Sequence, residues 1–518
     1  MLQISYKTIY SLFFILGVVL IVQLFDLGQI SQYGPVSLHR WRQSDCTSIA
    51  RCYYESGMHF FQPKVHHMIG GDNAAVSEFP IMYYAAAAFY HLWGPKDVIL
   101  RWLDFLVLLL GLYAVARLLL DLFQNWLFSY SGSFLLLGSP IVAFYGFNYM
   151  PNTVGLGFTL AGIYAYYRWV RTSGSHWQGL TTLLFALGGL IKVTSLIPLL
   201  AIFATAVFFL IFSRREVEWR QYFPSLPRLF ASFVIVLGLV AAWYLWAKYY
   251  NTVHNSWLLT TSFKPIWAMD QTEISYTYRE IRHRYHDLYF HPYTLAAFLV
   301  VVPVLLGCFR WVPRPVYVFY VFMLLGSTAF LALFYGQILV HHYYIIDIMP
   351  VFLLSFMLLP VVVRWKKQEM FDAWWFQLLL LGFMIFNVNY GRQSMHLYYN
   401  EEWRDPQSIP PSLFKQEELQ TFLREKGITY EKDLVLCAPD FTPNNLLYYF
   451  NLRGWSEFPD SDLSIYDVKQ SAANGAHYLI IADTSYLSIP ELQEVYQDPV
   501  GVFDNAIYFF DIQPLTGK

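Results

Sequence analysis

The stretch His39-Arg-Trp-Arg-Gln-Ser-Asp45-Cys-Thr-Ser-Ile-Ala-Arg51 follows the first hydrophobic segment of the chain, at about residues 9–27, and sets one carboxylate among three arginines. On either side of it the chain is apolar: 56% of its 518 residues are hydrophobic, only 14% are charged, and the mean hydropathy is +0.38. That composition does not fit an ordinary soluble globular protein. Lipid has to serve as solvent for most of the length, which predicts an α-helical polytopic membrane protein. A charge at the bilayer edge is expensive unless it has a partner or a task, so Asp45 is the first candidate for chemistry.

Crossing a hydrocarbon core of about 30 Å takes roughly 20 helical residues. Apolar runs of about that length lie at 9–27, 98–120, 126–146, 154–170, 179–191, 194–212, 228–250, 293–309, 316–335, 343–363 and 372–390, about eleven spans. Lys192 interrupts one long apolar run and marks either a tight hairpin or a kink. Short cytoplasmic loops retain Lys and Arg. With the N-terminus inside, Lys7, Arg117, Arg168, Arg171, Arg214, Arg215, Arg220, Arg310, Arg314, Arg364, Lys366 and Lys367 all fall on the cytoplasmic face. The loop 28–97, the turn at Lys192, the loop 251–292 and everything after 390 then face outward. The first span lacks a small-residue cleavage site and is read as a retained anchor.

The expected organisation is a membrane domain over 1–390, with a large first outer loop at 28–97, and a small extracytoplasmic α/β domain over 391–518. In the loop, one helix is expected from Ser44 or Asp45 to about Ser56 and a second from about Pro80 to Trp93, both lying on the membrane surface. The polar stretch between them, with His66, His67, Gly70, Gly71, Asp72 and Asn73, reads as a mobile turn. In the tail, helical patterns at 415–425 and 464–474 alternate with short apolar runs at 434–437, 478–482 and 506–511. Roughly 125 residues can bury a core of their own.

A net charge of −2 without a basic tail does not invite nucleic acid. The four cysteines show no metal-binding spacing. Cys46 and Cys52, six apart on a helix, would face different directions, so a disulfide is not expected there. Asp45 shares a helical face with Arg42; the plain reading is an interfacial ion pair, the sharper one a general base kept ionised by its cations. Glu78 opens the second loop helix, where the dipole favours an acid, or else binds a metal or substrate. His66 with His67, and His341 with His342, are sequence neighbours that point to different faces and make weak metal ligands. A divalent metal is compatible with Glu78, His66 and His67, and no cofactor is required. Lys192 either snorkels to the interface or meets a phosphate.

Trp41-Arg-Gln-Ser-Asp45, Ile49-Ala-Arg51, Phe60-Phe61-Gln-Pro63 and Glu78-Phe-Pro80 with Tyr83 resemble the first outer loop of the bacterial C-type (GT-C) glycosyltransferases of the protein O-mannosyltransferase and lipid A aminoarabinose transferase-like superfamily. Met150-Pro151-Asn152, Leu190-Ile-Lys192, His341-His-Tyr-Tyr344 through Pro350, and Leu447-Tyr-Tyr-Phe-Asn-Leu-Arg-Gly-Trp455 follow in the same order. Where many relatives carry a second acid after the loop aspartate, this chain has Cys46.

The resemblance implies an inverting transferase that takes a sugar from a polyprenyl-phosphate carrier at the outer face of a bacterial inner membrane and passes it to an envelope acceptor: a glycolipid, a polysaccharide or a protein. It implies Asp45 as the base, Arg40, Arg42 and Lys192 as donor-phosphate ligands, and Glu78, Asn152, His341, His342 and Tyr344 as substrate contacts. A lipid-linked donor needs no nucleotide site, in keeping with a sequence free of Walker or dinucleotide glycine patterns. A single displacement needs one base, unlike soluble glycosidases with their two carboxyl groups. The competing reading is a polytopic transporter or lipid-linked sugar flippase. Against it, no paired halves with matching broken helices are evident, and the charges gather in an outer loop and at helix ends.

Overall fold

The computed structural model describes residues 6–69, 71–213, 218–259, 263–366, 368–399, 410–457 and 463–517. Gly70 of the expected turn and the loop cations Arg214, Arg215 and Lys367 lie outside the described residues. The chain forms two compact units: Met1–Leu27 with Asp104–Leu245 and Thr261–His396, and Gly28–Leu103 with Trp246–Thr260 and Leu397–Lys518.

The first unit is helical. Among the described residues, five helices are long and apolar enough to cross a membrane: Asp97–Phe123, Val193–Phe212, Leu226–Val253, Arg314–Leu333 and His342–Val363. Two bent pairs raise the number to seven if each counts as one span. Further helices at Tyr6–Leu24, Pro151–Thr172, Ser175–Ile191 and Trp374–Tyr399 occupy other apolar runs.

The expected span at 126–146 is not continuous, because Trp126–Gly138 and Pro140–Gly146 meet at 82°. Pro140 has no N–H to donate and drives Ser139 out of helical geometry, to ψ 117. Irregular backbone at membrane depth survives where protein surrounds it, and residues 131–150 are buried throughout. At Lys192 the chain is extended (φ −148), ending the Ser175–Ile191 helix before a short 3₁₀ turn leads into Ile197–Phe212. Helices Asp97–Phe123 and Pro151–Thr172 cross at two glycines. A Cβ on Gly111 would lie 2.6 Å from the Gly157 carbonyl oxygen, an approach that only small residues permit.

The second unit is built on a seven-stranded sheet. Its strands are β1 (Lys64–Ile69), β2 (Asp72–Ala74), β3 (Leu434–Ala438), β4 (Arg453–Ser456), β5 (Tyr478–Ile481), β6 (Pro499–Phe503) and β7 (Ile507–Asp511), in the spatial order β2-β1-β4-β3-β5-β7-β6. β4, β3 and β5 run parallel, and β7 and β6 close one side antiparallel. Alternation along β3 sends Val435 and Cys437 into one apolar layer and Leu436 and Ala438 into the other. The helices Gln416–Glu425 and Ile465–Ala473 pack on these layers through Leu419 and Leu423, and through Val468 and Ala472.

The first loop contributes two strands to this sheet, which corrects the reading of its central stretch as a mobile turn. β1 pairs in parallel with β4, His67 opposite Gly454. Gly454 sits at φ +154, where an added Cβ would lie 1.8 Å from the Val435 carbonyl oxygen, so glycine is required there. The two loop helices form at Arg40–Glu55 and Ile81–Trp93. The first does not lie on a surface: residues 43–50 are buried on every side of it.

Candidate functional site

The Arg40–Glu55 helix begins after His39, which is left-handed at φ 54 and provides no side-chain cap. Arg40 and Arg42 stand in the first turn, where the helix dipole disfavours cations. Each meets carboxylates. Arg42 Nη2 donates to both oxygens of Glu78 at 2.6 Å, and its Nη1 lies 4.0 Å from Asp45 Oδ2 and has no hydrogen-bond partner. Arg40 acts electrostatically on Asp440, whose oxygens also accept from the Thr442 and Leu446 amides.

Asp45 is 2% exposed. Its Oδ1 accepts from Asn444 Nδ2 at 2.8 Å, and Asn444 Oδ1 accepts from the His67 amide at 2.9 Å. One asparagine of the tail thus ties the loop helix to β1. Burial pushes the Asp45 carboxyl up to about 7, against the opposing pull of Arg42 and the Asn444 hydrogen bond and with a smaller push from Glu78. Glu78 is also buried, yet Arg42 and the Tyr83 hydroxyl that donates to it hold its carboxyl below the usual range. The two acids flanking Arg42 are therefore split: Glu78 is ionised at neutral pH, and Asp45 sits near the midpoint of its titration. Cys46 Sγ lies 3.1 Å from the Tyr83 hydroxyl, and burial pushes its thiol up to about 12.

The three weak metal candidates are not gathered at one point. His66 Nδ1 hydrogen-bonds Ser48 at 2.7 Å and its Nε2 faces Asn451 at 3.3 Å, while Glu78 is committed to Arg42 and Tyr83. Burial pulls His66 down to about 3 and His67 to about 4, so both are neutral. Among the described residues no three His, Cys, Asp or Glu side chains form a metal-ligand group. All four cysteines are free. Arg51 is held by Glu55 at 2.8 Å and Asn451 at 3.0 Å.

A second polar group lies within the helical unit. Lys192 Nζ rests 4.1 Å from the ring centroid of Tyr344, which in turn stacks on His341 at 5.2 Å. Asn152 Nδ2 donates to Asp347 at 3.3 Å, and Thr194 Oγ1 donates to it at 2.7 Å. His342 is buried, with Nε2 3.2 Å from the Tyr145 hydroxyl. Asn152 and Lys192 thus meet at Asp347, an acid that the sequence did not single out, while Tyr344 and His341 follow from Lys192 and His342 turns to Tyr145. Asp347 carried a signal: it is the lone acid in the run 343–363. Asn444 carried none, since an asparagine in a polar tail is unremarked until the fold brings it to Asp45.

A family model described as dolichyl-phosphate-mannose-protein mannosyltransferase matches residues 77–254. No curated protein sequence matches the chain. Among solved structures it is similar to ArnT from Cupriavidus metallidurans in the apo state, with TM-score 0.59 and 13% identity over 99% of this chain and 100% of that one. ArnT bound to undecaprenyl phosphate gives TM-score 0.57 and 12% identity over 97% and 99%. The apo oligosaccharyltransferase of Archaeoglobus fulgidus gives 0.50 and 11% over 92% of this chain and 70% of that one. At these identities the likeness is one of fold.

Proposed function

We infer that the chain is a membrane glycosyltransferase of the GT-C superfamily, and we propose that it moves a sugar from a polyprenyl-phosphate carrier to an envelope acceptor with inversion at the anomeric carbon. The observation that carries this reading is the Asp45 centre: a buried carboxyl poised near neutral pH, oriented by Asn444 and backed by Arg42. A general base works best when its pKa lies near the operating pH. Asp45 takes the proton of the acceptor nucleophile as it attacks C1. The carrier phosphate leaves with the bonding electrons, so one displacement closes the reaction. The carrier bound to the similar ArnT structure, undecaprenyl phosphate, supports the donor class.

Arg40 and Arg42 are proposed donor-phosphate ligands; the unpartnered Nη1 of Arg42 supports that role. Lys192 is proposed for the same chemistry within its own unit, a cation at the end of an apolar helix that rests on the Tyr344 ring and acts electrostatically on Asp347. Asn152, His341, His342, Tyr344 and Glu78 are proposed to contact substrate or to position the groups that do. We propose that the chain lies in a bacterial inner membrane with its N-terminus cytoplasmic and its tail outside, an orientation that rests on the distribution of its loop cations. A reporter fused after Met395 is expected to be exposed on the outer side; cytoplasmic exposure would reverse the orientation.

The deciding assay uses the purified chain in proteoliposomes with a polyprenyl-phosphate-linked sugar. A transferase releases free polyprenyl phosphate and yields a product of inverted anomeric configuration. A flippase moves the intact carrier and cleaves nothing. Lys192→Ala is expected to raise the KM for the donor about tenfold, the loss of roughly 1.4 kcal/mol of phosphate binding, with little change for the acceptor. Equal effects on both substrates would remove Lys192 from the phosphate. Asn444→Ala is expected to move the acid limb of the kcat/KM profile above about 7, because that hydrogen bond favours the ionised form of Asp45. An unmoved limb would assign it to another group.

A further inference from the structure

The helical unit contains a basic recess that the transfer reaction does not use. A cavity of about 480 Å³ is lined by Arg117, Asp121, Gln124, Tyr167, Arg168 and Arg171, among others. It adjoins a larger cavity of about 660 Å³ that shares Asp121, Tyr167 and Arg171 and is otherwise walled mainly by apolar side chains such as Leu118, Leu160, Phe319 and Leu354. The larger one has the size of a small-molecule or lipid-chain site.

The charges of the recess do not cancel. Three arginines face one aspartate, and Asp121 is engaged by Arg168 at 3.7 Å and by the Tyr164 hydroxyl at 3.2 Å. Arg117 is 8% exposed, its guanidinium lies 5.8 Å over the Tyr10 ring, and its Nε has no hydrogen-bond partner. Arg171 is exposed at the mouth. Cations so placed in a membrane unit call for an anion, and basic pockets between membrane helices beside apolar space match an anionic lipid headgroup with its chain. Arg171 and Lys192 flank opposite ends of the Ser175–Ile191 helix, whose 17 residues span about 25 Å, so the recess is separate from the proposed phosphate contact at Lys192.

We propose that this recess holds an anionic membrane phospholipid, its phosphate on Arg117, Arg168 and Arg171 and an acyl chain in the adjoining apolar cavity. The site does not depend on the transferase reading; it would exist equally in a transporter.

The test is native mass spectrometry of the purified full chain, comparing phosphatidylglycerol with phosphatidylcholine of the same chains. Phosphatidylglycerol should be retained about tenfold more strongly, and Arg171→Gln, or Arg117→Gln with Arg171→Gln, should remove that preference. Arg171→Lys should keep most of it, and Arg310→Gln, an exposed arginine outside the recess, should leave it unchanged. Arg171 is exposed, so the single variant decides the matter if the double variant does not fold. Equal retention of the two lipids, or an equal loss in Arg310→Gln, would overturn the site. Displacement of phosphatidylglycerol by equimolar undecaprenyl phosphate would make it a carrier site, and displacement by millimolar inorganic phosphate would make it a free-anion site; either result also overturns the proposal.

Discussion

Asp45→Asn is expected to lower sugar transfer by roughly 10²–10⁴-fold, the usual contribution of a general base, while making the folded protein more stable above pH 7. The variant keeps an oxygen to accept from Asn444 and leaves the Arg42–Glu78 pair intact, so lost activity cannot be ascribed to a collapsed centre. The stability gain follows from the titration. In the fold the Asp45 carboxyl is raised from 3.8 to about 7 by burial, so the native state holds this proton more tightly than the unfolded chain does. Its contribution to stability is complete below the unfolded value and is lost as pH rises through about 7. At pH 8 the whole cost is present, at most about 4 kcal/mol for a shift of that size. Asparagine removes it. Thermal unfolding of the purified protein should place the variant above the native chain at pH 8, with the gap narrowing toward pH 5. Full turnover on a polyprenyl-linked donor would reject Asp45 as the base, and a gap that did not change with pH would reject the raised carboxyl.

Arg42→Met is the second large effect, a loss of about 3–5 kcal/mol of stability, because removing one partner of a buried ion pair leaves the other charge uncompensated. Glu78 is 5% exposed and takes both of its short charged contacts from Arg42 Nη2. Adding Glu78→Gln to Arg42→Met should restore most of the loss, the pattern of a coupled pair in a double-mutant cycle. The pH dependence is opposite to that of Asp45. The Glu78 carboxyl is lowered in the fold, so its contribution is present above the unfolded carboxylate value and disappears as pH falls through the lower folded one. Denaturation midpoints of the two single variants and the double variant settle the point; additive losses would dissolve the pair.

Much of this was legible in the chain. Apolar length marks where the membrane helices lie, and short apolar runs at 434–437 and 478–482 mark buried strands. Both signals are local. What escaped was governed by contacts distant in sequence. His66 and His67 look polar and loop-like, but as neutral imidazoles they can line a strand whose partner, β4, lies nearly 390 residues away. The run 126–146 has the hydropathy of a single span, yet Pro140 breaks it and surrounding protein makes the break tolerable. The acid that holds Arg42 Nη2, Glu78, lies 36 residues along the chain, out of reach of any helical spacing.

By itself the sequence determined the membrane character, the α/β tail and the prominence of Asp45, because each rests on composition, periodicity or the cost of a charge beside lipid. Only the tertiary structure decided what kind of acid Asp45 is. Its titration depends on how completely water is excluded and on which charges and dipoles replace it, and those come from Arg42 on the same helix, Glu78 ahead of the second loop helix and Asn444 in the tail, which only folding brings together.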